Sequence, residues 1–289
     1  MLNTTALHAD FGVEIHDVDL RGVTRSSLYP EIRAAFEAHS LLLFRGQTWS
    51  DEEILAFGRL FGPIENRSDS PDHVSLVSNV RPDGQIMPPD AQRLKDLQAN
   101  MLWHTDSTFL PVPSLANIIT ARVVPKEGGT TELVSTRAGL KRLPPDLKDV
   151  VQGAFRHRYA HSRQKIDADL AMAEHIAKWP EQVWRGIWPN PVNSEDAVYI
   201  ASHVCGIVGL GDAEALPLVD RIIEHMTAPD CIYAHHWQVG DVLIWDERAT
   251  LHRGMPWPFE QARTLASICV SASAADGLDL IRLPASQST

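Results

Sequence analysis

Two short, uninterrupted apolar runs constrain this chain more than any other feature: Leu41-Leu42-Leu43-Phe44 and Val242-Leu243-Ile244-Trp245. Neither alternates with polar residues, so each needs cover on both faces and reads as a buried central strand. Arg45-Gly46-Gln47 closes the first and Gly240-Asp241 opens the second, both turn-forming sequences. Further short strand signals stand at residues 11–15, 115–124, 130–135, 199–203 and 232–237, rich in β-branched or alternating residues. Strands at this density, with helices gathered early and in connections, predict a mainly β fold with helical additions, an antiparallel sandwich or jelly-roll core. Residues 115–124 and 130–135, separated by Pro125-Lys126-Glu127-Gly128-Gly129, are expected to form a hairpin-like pair.

The helical expectations follow from caps and periodicity. Ser26 or Ser27 is expected to cap a helix running to His39, with Ile32, Ala35 and Phe36 on one face. Ser50 and Glu53 fit a capping box ahead of Ile54, Phe57, Leu60 and Phe61, and Gly62-Pro63 ends that helix. Residues 138–143, 145–152 and 213–226 read as further helices. Residues 66–99 turn polar and proline-rich, with a strand signal at 74–80 and a turn at Pro82-Asp83-Gly84, and read as a lid-like loop. Residues 153–198 carry the weakest pattern. With no internal repeat, 1–289 is expected to be a single domain.

Composition excludes several functions. The formal net charge is -11, from 37 acidic and 26 basic residues, and no Lys/Arg run stands out, so no nucleic-acid partner is expected. Asp10, Glu14, Asp17 and Asp19 occupy the region where a signal peptide would need a cationic start and an apolar core. No stretch approaches the ~18 apolar residues of a membrane span. Cys205, Cys231 and Cys269 are odd in number and widely spaced, which suits reduced thiols and a cytoplasmic enzyme.

The chemistry-bearing residues begin at Trp103-His104-Thr105-Asp106. In an extended segment, side chains two positions apart share a side, so His104 and Asp106 can face one ion. Taken alone, the two could equally be a hydrogen-bonded structural pair. His252 follows the second apolar run by a few residues and is the candidate third ligand of a two-histidine, one-carboxylate triad, which leaves positions open for cosubstrate and oxygen. Arg263 begins a strand expected at 264–271; returning beside the segment of His252, it would carry a guanidinium able to grip a carboxylate.

In order along the chain, Leu42-Leu43-Phe44-Arg45-Gly46-Gln47, Phe57-Gly58-Arg59-Leu60-Phe61-Gly62, Trp103-His104-Thr105-Asp106, Gly128-Gly129-Thr130-Thr131, and Gly240 to Asp246 leading to His252-Arg253-Gly254 and Arg263 resemble the taurine dioxygenase family of Fe(II)/2-oxoglutarate oxygenases. Within it, Ser78-Asn79-Val80, Asp83-Gly84 and residues 100–109 are most similar to the branch that cleaves dichlorophenoxyacetate and other aryloxyalkanoates. The resemblance implies a double-stranded β-helix, with Fe(II) on His104, Asp106 and His252, and 2-oxoglutarate held by Thr131 and Arg263. It implies consumption of O2, release of succinate and CO2, hydroxylation of an aliphatic C–H in a small-molecule substrate, and a homo-oligomer. Asp106, where halogenases need a vacant halide position, speaks against halogenation.

Departures concern the substrate. The family's sulfonate and phenoxyacetate members carry a second arginine four residues after the first, where this chain has Ser267, and Gln85 stands where a loop lysine is expected. Arg81, Arg93, Lys95, His161 and Arg163 are the candidates to replace the missing cations, and His203 falls at a histidine position of the phenoxyacetate branch. An aryloxyalkanoate or related aromatic carboxylate is the expected substrate. The alternatives are a sulfonate such as taurine, or a neutral natural product. From a different class come a zinc-dependent hydrolase and a non-catalytic metal-binding jelly roll.

Overall fold

The computed structural model describes residues 2–66, 73–167 and 178–284. Its strands are β1 (Asn3–Ala6), β2 (Val13–His16), β3 (Leu41–Phe44), β4 (Ser75–Ser78), β5 (Ser114–Val123), β6 (Thr131–Ser135), β7 (Ala154–His157) and β8 (Gln182–Arg185). They continue with β9 (Ile187–Pro189), β10 (Asp196–Val198), β11 (Val204–Ile207), β12 (Tyr233–His235), β13 (Val242–Asp246), β14 (Thr250–Gly254) and β15 (Thr264–Ser271). The helices are α1 (Tyr29–His39), α2 (Asp51–Phe61), α3 (Gln92–Ala99), α4 (Thr136–Arg142), α5 (Pro145–Val150), α6 (Tyr159–Gln164), α7 (Asp212–Met226) and α8 (Leu278–Ile281).

The two apolar runs prove to be neighbours. β3 and β13 pair antiparallel, Leu41 opposite Trp245 and Phe44 opposite Val242, inside a seven-stranded sheet of order β1-β2-β3-β13-β5-β15-β4. Alternation divides their side chains between two layers. Leu42, Phe44, Val242 and Ile244 pack with Ile32 and Phe36 of α1 and Ile54 and Phe57 of α2. Leu41, Leu43, Leu243 and Trp245 point the other way, toward Leu133 of β6. β6 is the centre of a three-stranded sheet of order β12-β6-β14. The central runs thus carry a helical layer on one face and a second sheet on the other, and the site lies between the sheets.

Several expectations change. β5 and β6 are not a hairpin: Gly128 and Gly129 have φ of +71° and +66°, and the chain leaves the seven-stranded sheet to enter the facing one. α1 begins at Tyr29, with proline at its start and no side-chain cap; Ser27 instead closes a turn with Thr24. Residues 199–203 form no strand but a turn, anchored where Ser202 N–H donates to the Trp103 carbonyl. The 66–99 segment holds β4, paired with β15, and α3, which its polar composition concealed; residues 67–72 lie outside those described. Residues 153–198 supply β7 and β8, which join β11 in a small sheet, and the β9–β10 hairpin. The capping box holds as expected, with Ser50 Oγ accepting from Glu53 N–H and Glu53 Oε2 from Ser50 N–H.

The turn between β13 and β14 is pinned by buried charge. Arg248 donates to both Asp246 oxygens at 2.8 and 2.9 Å and to Glu37 of α1 at 2.7 Å. Burial opposes its charge, but the two carboxylates outweigh that and raise its pKa. Such a network fixes position more than it adds net stability. Here it sets the start of the strand that carries His252. Among the described residues no helix is long and apolar enough to cross a membrane.

His157 on β7 is wholly buried, with neither ring nitrogen hydrogen-bonded among the described residues, and burial lowers its pKa from 6.5 to about 3. The unfolded chain therefore takes up a proton near pH 6.5 that the native protein refuses until about pH 3. Its contribution is intact above pH 6.5 and is lost as pH falls, at up to about 1.4 kcal/mol per unit. Denaturant titrations should show His157→Phe flattening the acid side of the stability profile by about one proton. An unchanged slope between pH 6 and 4 would contradict this account.

Candidate active site

His104 and His252 meet through their backbones before their side chains do. His104 N–H donates to the His252 carbonyl at 3.0 Å and His252 N–H to the His104 carbonyl at 2.8 Å, an isolated antiparallel bridge at the edge of β14. The ring centroids are 4.1 Å apart. His104 Nδ1 lies 2.7 Å from the Leu102 carbonyl, so Nε2 is the nitrogen left to face outward. Beyond Thr105 the chain turns, and Ser107 takes a left-handed φ of 63°. The turn brings Asp106 to the histidines: one potential ligand atom from each of His104, Asp106 and His252 lies within 4.8 Å of the others.

Three further residues hold this cluster, and two escaped sequence reading. Asn117 of β5 donates Nδ2–H to Asp106 Oδ2 at 2.8 Å, and Ser267 of β15 donates its hydroxyl to Asn117 Oδ1 at 2.8 Å. Ser267 therefore steadies the Asp106 carboxylate through Asn117. Glu247 is fully buried beneath the site and accepts from Thr105 Oγ1, Asp106 N–H and Trp245 Nε1. Its carboxylate lies 3.9 Å from His252 Nδ1. Burial first, and the charge of Asp106 second, push its pKa well above the usual carboxylate range. The Asp106 carboxylate facing two imidazoles favours a cation, and this oxygen–nitrogen donor set fits Fe(II). Local patterns could not disclose Asn117 or Glu247, because their partners come from other strands.

Arg263 is 3% exposed. Its Nε and Nη2 donate to the Gly129 carbonyl at 3.3 and 3.1 Å, and the guanidinium lies 4.8 Å from the centre of the Trp257 ring. No carboxylate pairs with it among the described residues. Burial lowers its pKa to about 10, so it remains a cation at neutral pH. A Cβ on Gly129 would come within 3.2 Å of the Arg263 side chain, and one on Gly128 within 2.6 Å of the Pro256 carbonyl. This is the physical need for the glycine pair. The sequence expectation placed the strand of Arg263 beside that of His252, but β15 belongs to the seven-stranded sheet, between β5 and β4. Arg263 reaches the same cavity from the opposite wall. Thr131 on β6 also lines it, with Trp237 Nε1 donating to its hydroxyl at 3.0 Å.

The cavity measures about 350 Å³ and is bounded by His104, Asp106, His252, Thr131 and Arg263 together with an aromatic group, Phe109, Tyr159 and Trp179. His203 joins this wall, its ring centre 5.2 Å from that of Phe109 and 6.4 Å from that of His104. Burial, then the nearby Arg163 cation, hold His203 far below its ordinary pKa, so it is neutral. Gln85 is not brought to the cavity: it is exposed, and its amide oxygen accepts from Arg81. Phe109 faces the cavity as well. Arg253, in contrast, turns away to Glu132 at 2.7 Å and stacks on Trp103.

Two imidazoles and a carboxylate on one side of a cavity could hold one metal ion, and a buried guanidinium on another, with no carboxylate paired to it among the described residues, could receive an anion. The family model for the taurine catabolism dioxygenase TauD, TfdA family, matches residues 3–269, and the chain belongs to that family. It is an Fe(II)- and 2-oxoglutarate-dependent dioxygenase. It is 33% identical over 270 residues to the alpha-ketoglutarate-dependent 2,4-dichlorophenoxyacetate dioxygenase of Cupriavidus pinatubonensis, covering 90% of this chain and 94% of that one. The (S)-phenoxypropionate/alpha-ketoglutarate-dioxygenase of Sphingobium herbicidovorans is 31% identical, over 90% of this chain and 91% of its own. Among solved structures, AAD-2 in complex with Mn(II) and N-oxalylglycine superposes with a TM-score of 0.88 at 27% identity, over 94% of this chain and 98% of that one. The zinc hydrolase and non-catalytic alternatives fall with this assignment.

Proposed function

We propose that the enzyme hydroxylates the aliphatic carbon beside the ether oxygen of a small aryloxyalkanoate or related aromatic carboxylate. The observation that carries this is one cavity holding the His104–Asp106–His252 cluster, the buried Arg263 with no carboxylate paired to it among the described residues, and the Phe109–Tyr159–Trp179 wall. His104, Asp106 and His252 would hold Fe(II), with Asn117 and Glu247 orienting them. Arg263 would take the distal carboxylate of 2-oxoglutarate, assisted by the Thr131 hydroxyl. When bound, iron with 2-oxoglutarate and O2 supplies the oxidation, yielding succinate and CO2 and placing hydroxyl on the substrate carbon. The hydroxylated ether then collapses to a phenol and an oxo acid. The aromatic wall excludes water and orients the ring, while neutral His203 offers a hydrogen bond without adding charge.

The two facing sheets are read as the walls of a double-stranded β-helix, forming one catalytic domain over 1–289 with 66–99 as its lid. Leu76 of β4 and Leu97 of α3 support the lid role by lining the cavity. The odd number and wide spacing of Cys205, Cys231 and Cys269 favour a cytoplasmic setting, and the family resemblance favours a homo-oligomer. Ser267, committed to Asn117, favours a second reading in which the same chemistry acts on a sulfonate or a neutral scaffold. A panel of phenoxyacetate, (S)-phenoxypropionate, taurine and phenoxyethanol, scored for succinate and phenol together, separates the two. Matched phenol and succinate from the aryloxy acids is expected. Succinate formation driven by taurine alone would overturn the aryl assignment.

A further inference from the structure

We infer that Arg163 is the clamp for the substrate's anionic arm, with Phe109, Tyr159 and Trp179 binding the aryl ring beside it. The inference rests on the aryl-carboxylate reading above. The tertiary structure selects Arg163 from five cationic candidates. Arg81 is exposed and paired with Asp83, and Lys95 is paired with Asp167 at 2.8 Å. Arg93 lines the cavity but is exposed and donates to the Leu76 carbonyl at 2.7 Å. His161 does not line it.

Arg163, at the end of α6, lines the cavity with no carboxylate paired to it among the described residues. Nη1 donates to Ser162 Oγ at 3.0 Å, whereas Nε is buried without a hydrogen-bond partner among the described residues. The guanidinium carbon lies 4.5 Å from the centre of the Tyr159 ring, which orients it. The Tyr159 ring is itself 4.5 Å from Trp179 and 4.9 Å from Phe109, centre to centre. A half-buried guanidinium whose Nε has no partner among the described residues, stacked on Tyr159 with Phe109 and Trp179 beyond it, is complementary to an arene bearing a carboxylate on a short arm. Arg263 and Arg163 then divide the two anions: cosubstrate on one, substrate on the other.

The test uses the anaerobic Fe(II)/2-oxoglutarate complex, whose visible charge-transfer band reports 2-oxoglutarate binding and shifts when substrate enters. Phenoxyacetate and its neutral analogue phenoxyethanol are titrated against wild type, Arg163→Met and Arg163→Lys. Loss of a desolvated charge contact should weaken phenoxyacetate by ~10–100-fold in Arg163→Met, with partial recovery in Arg163→Lys. Phenoxyethanol and 2-oxoglutarate affinities should stay within about threefold, the latter showing that the variant is folded. Unchanged phenoxyacetate binding in Arg163→Met overturns the clamp and leaves the aryl-carboxylate reading standing. Equal weakening of acid and alcohol assigns Arg163 to packing and also overturns it. If wild type binds no aryloxy acid although its 2-oxoglutarate band forms, both readings fall.

Discussion

His104→Ala is expected to abolish iron-dependent succinate formation, lowering turnover by at least ~10³-fold, while the chain still folds. The loss should be near total because a facial triad has no spare protein ligand: with one imidazole gone, Asp106 and His252 would hold the ion by two contacts. The fold should survive because the bridge between residues 104 and 252 is made by backbone N–H and carbonyl groups, which alanine retains. Removing the ring also lessens the burial of polar groups, so a change in metal-free stability of no more than about 2 kcal/mol is expected. Iron titration, succinate assay and denaturant melts on one preparation check all three statements. Full activity in this variant would sink the metal assignment. Collapse of the metal-free fold would show that the ring, and not the backbone bridge, joins these segments.

Arg263→Met should separate cosubstrate binding from metal binding. The guanidinium is buried against Gly129 and Trp257 without a counter-anion among the described residues, so burial opposes its charge. A dicarboxylate arriving there gains a desolvated charge-assisted contact, and its removal should raise the KM for 2-oxoglutarate by ~10²–10³-fold. Because kcat at saturation reports the chemical step, it should fall far less than kcat/KM. The same substitution removes an unpaired buried charge, so the ligand-free protein should be as stable as wild type or slightly more so. A side chain needed only for structure would give the opposite pattern: a lower melting temperature with an unchanged KM. Iron affinity without 2-oxoglutarate should not move, which distinguishes this variant from His104→Ala.

Legibility followed the range of each interaction. The capping box at Ser50 and Glu53, the helix ending at Met226 and the buried runs at Leu41–Phe44 and Val242–Trp245 are local patterns, and the structure keeps them. The hairpin expected around Pro125 to Gly129 and the strand expected at 199–203 failed because strand partners are chosen by register between distant segments. β6 found β12 and β14, and left β5 to β13 and β15. The same limit hid α3 inside a polar stretch, where burial of Leu94 and Leu97 against Trp257, rather than sequence periodicity, makes the helix worthwhile.

By itself the sequence determined the donor types and their order along the chain, and its resemblance to a family implied the class of reaction. Those follow from residue chemistry and short-range geometry, which neighbouring residues settle among themselves. Only the tertiary structure decided that Arg263 comes from the wall opposite His252, that Ser267 supports Asp106 through Asn117, and that Glu247 underlies the cluster. It also decided which of the five cations line the cavity and which are tied to carboxylates elsewhere. Each of these depends on where a side chain points after strands far apart in the chain have taken their register, and on which opposite charge lies within reach.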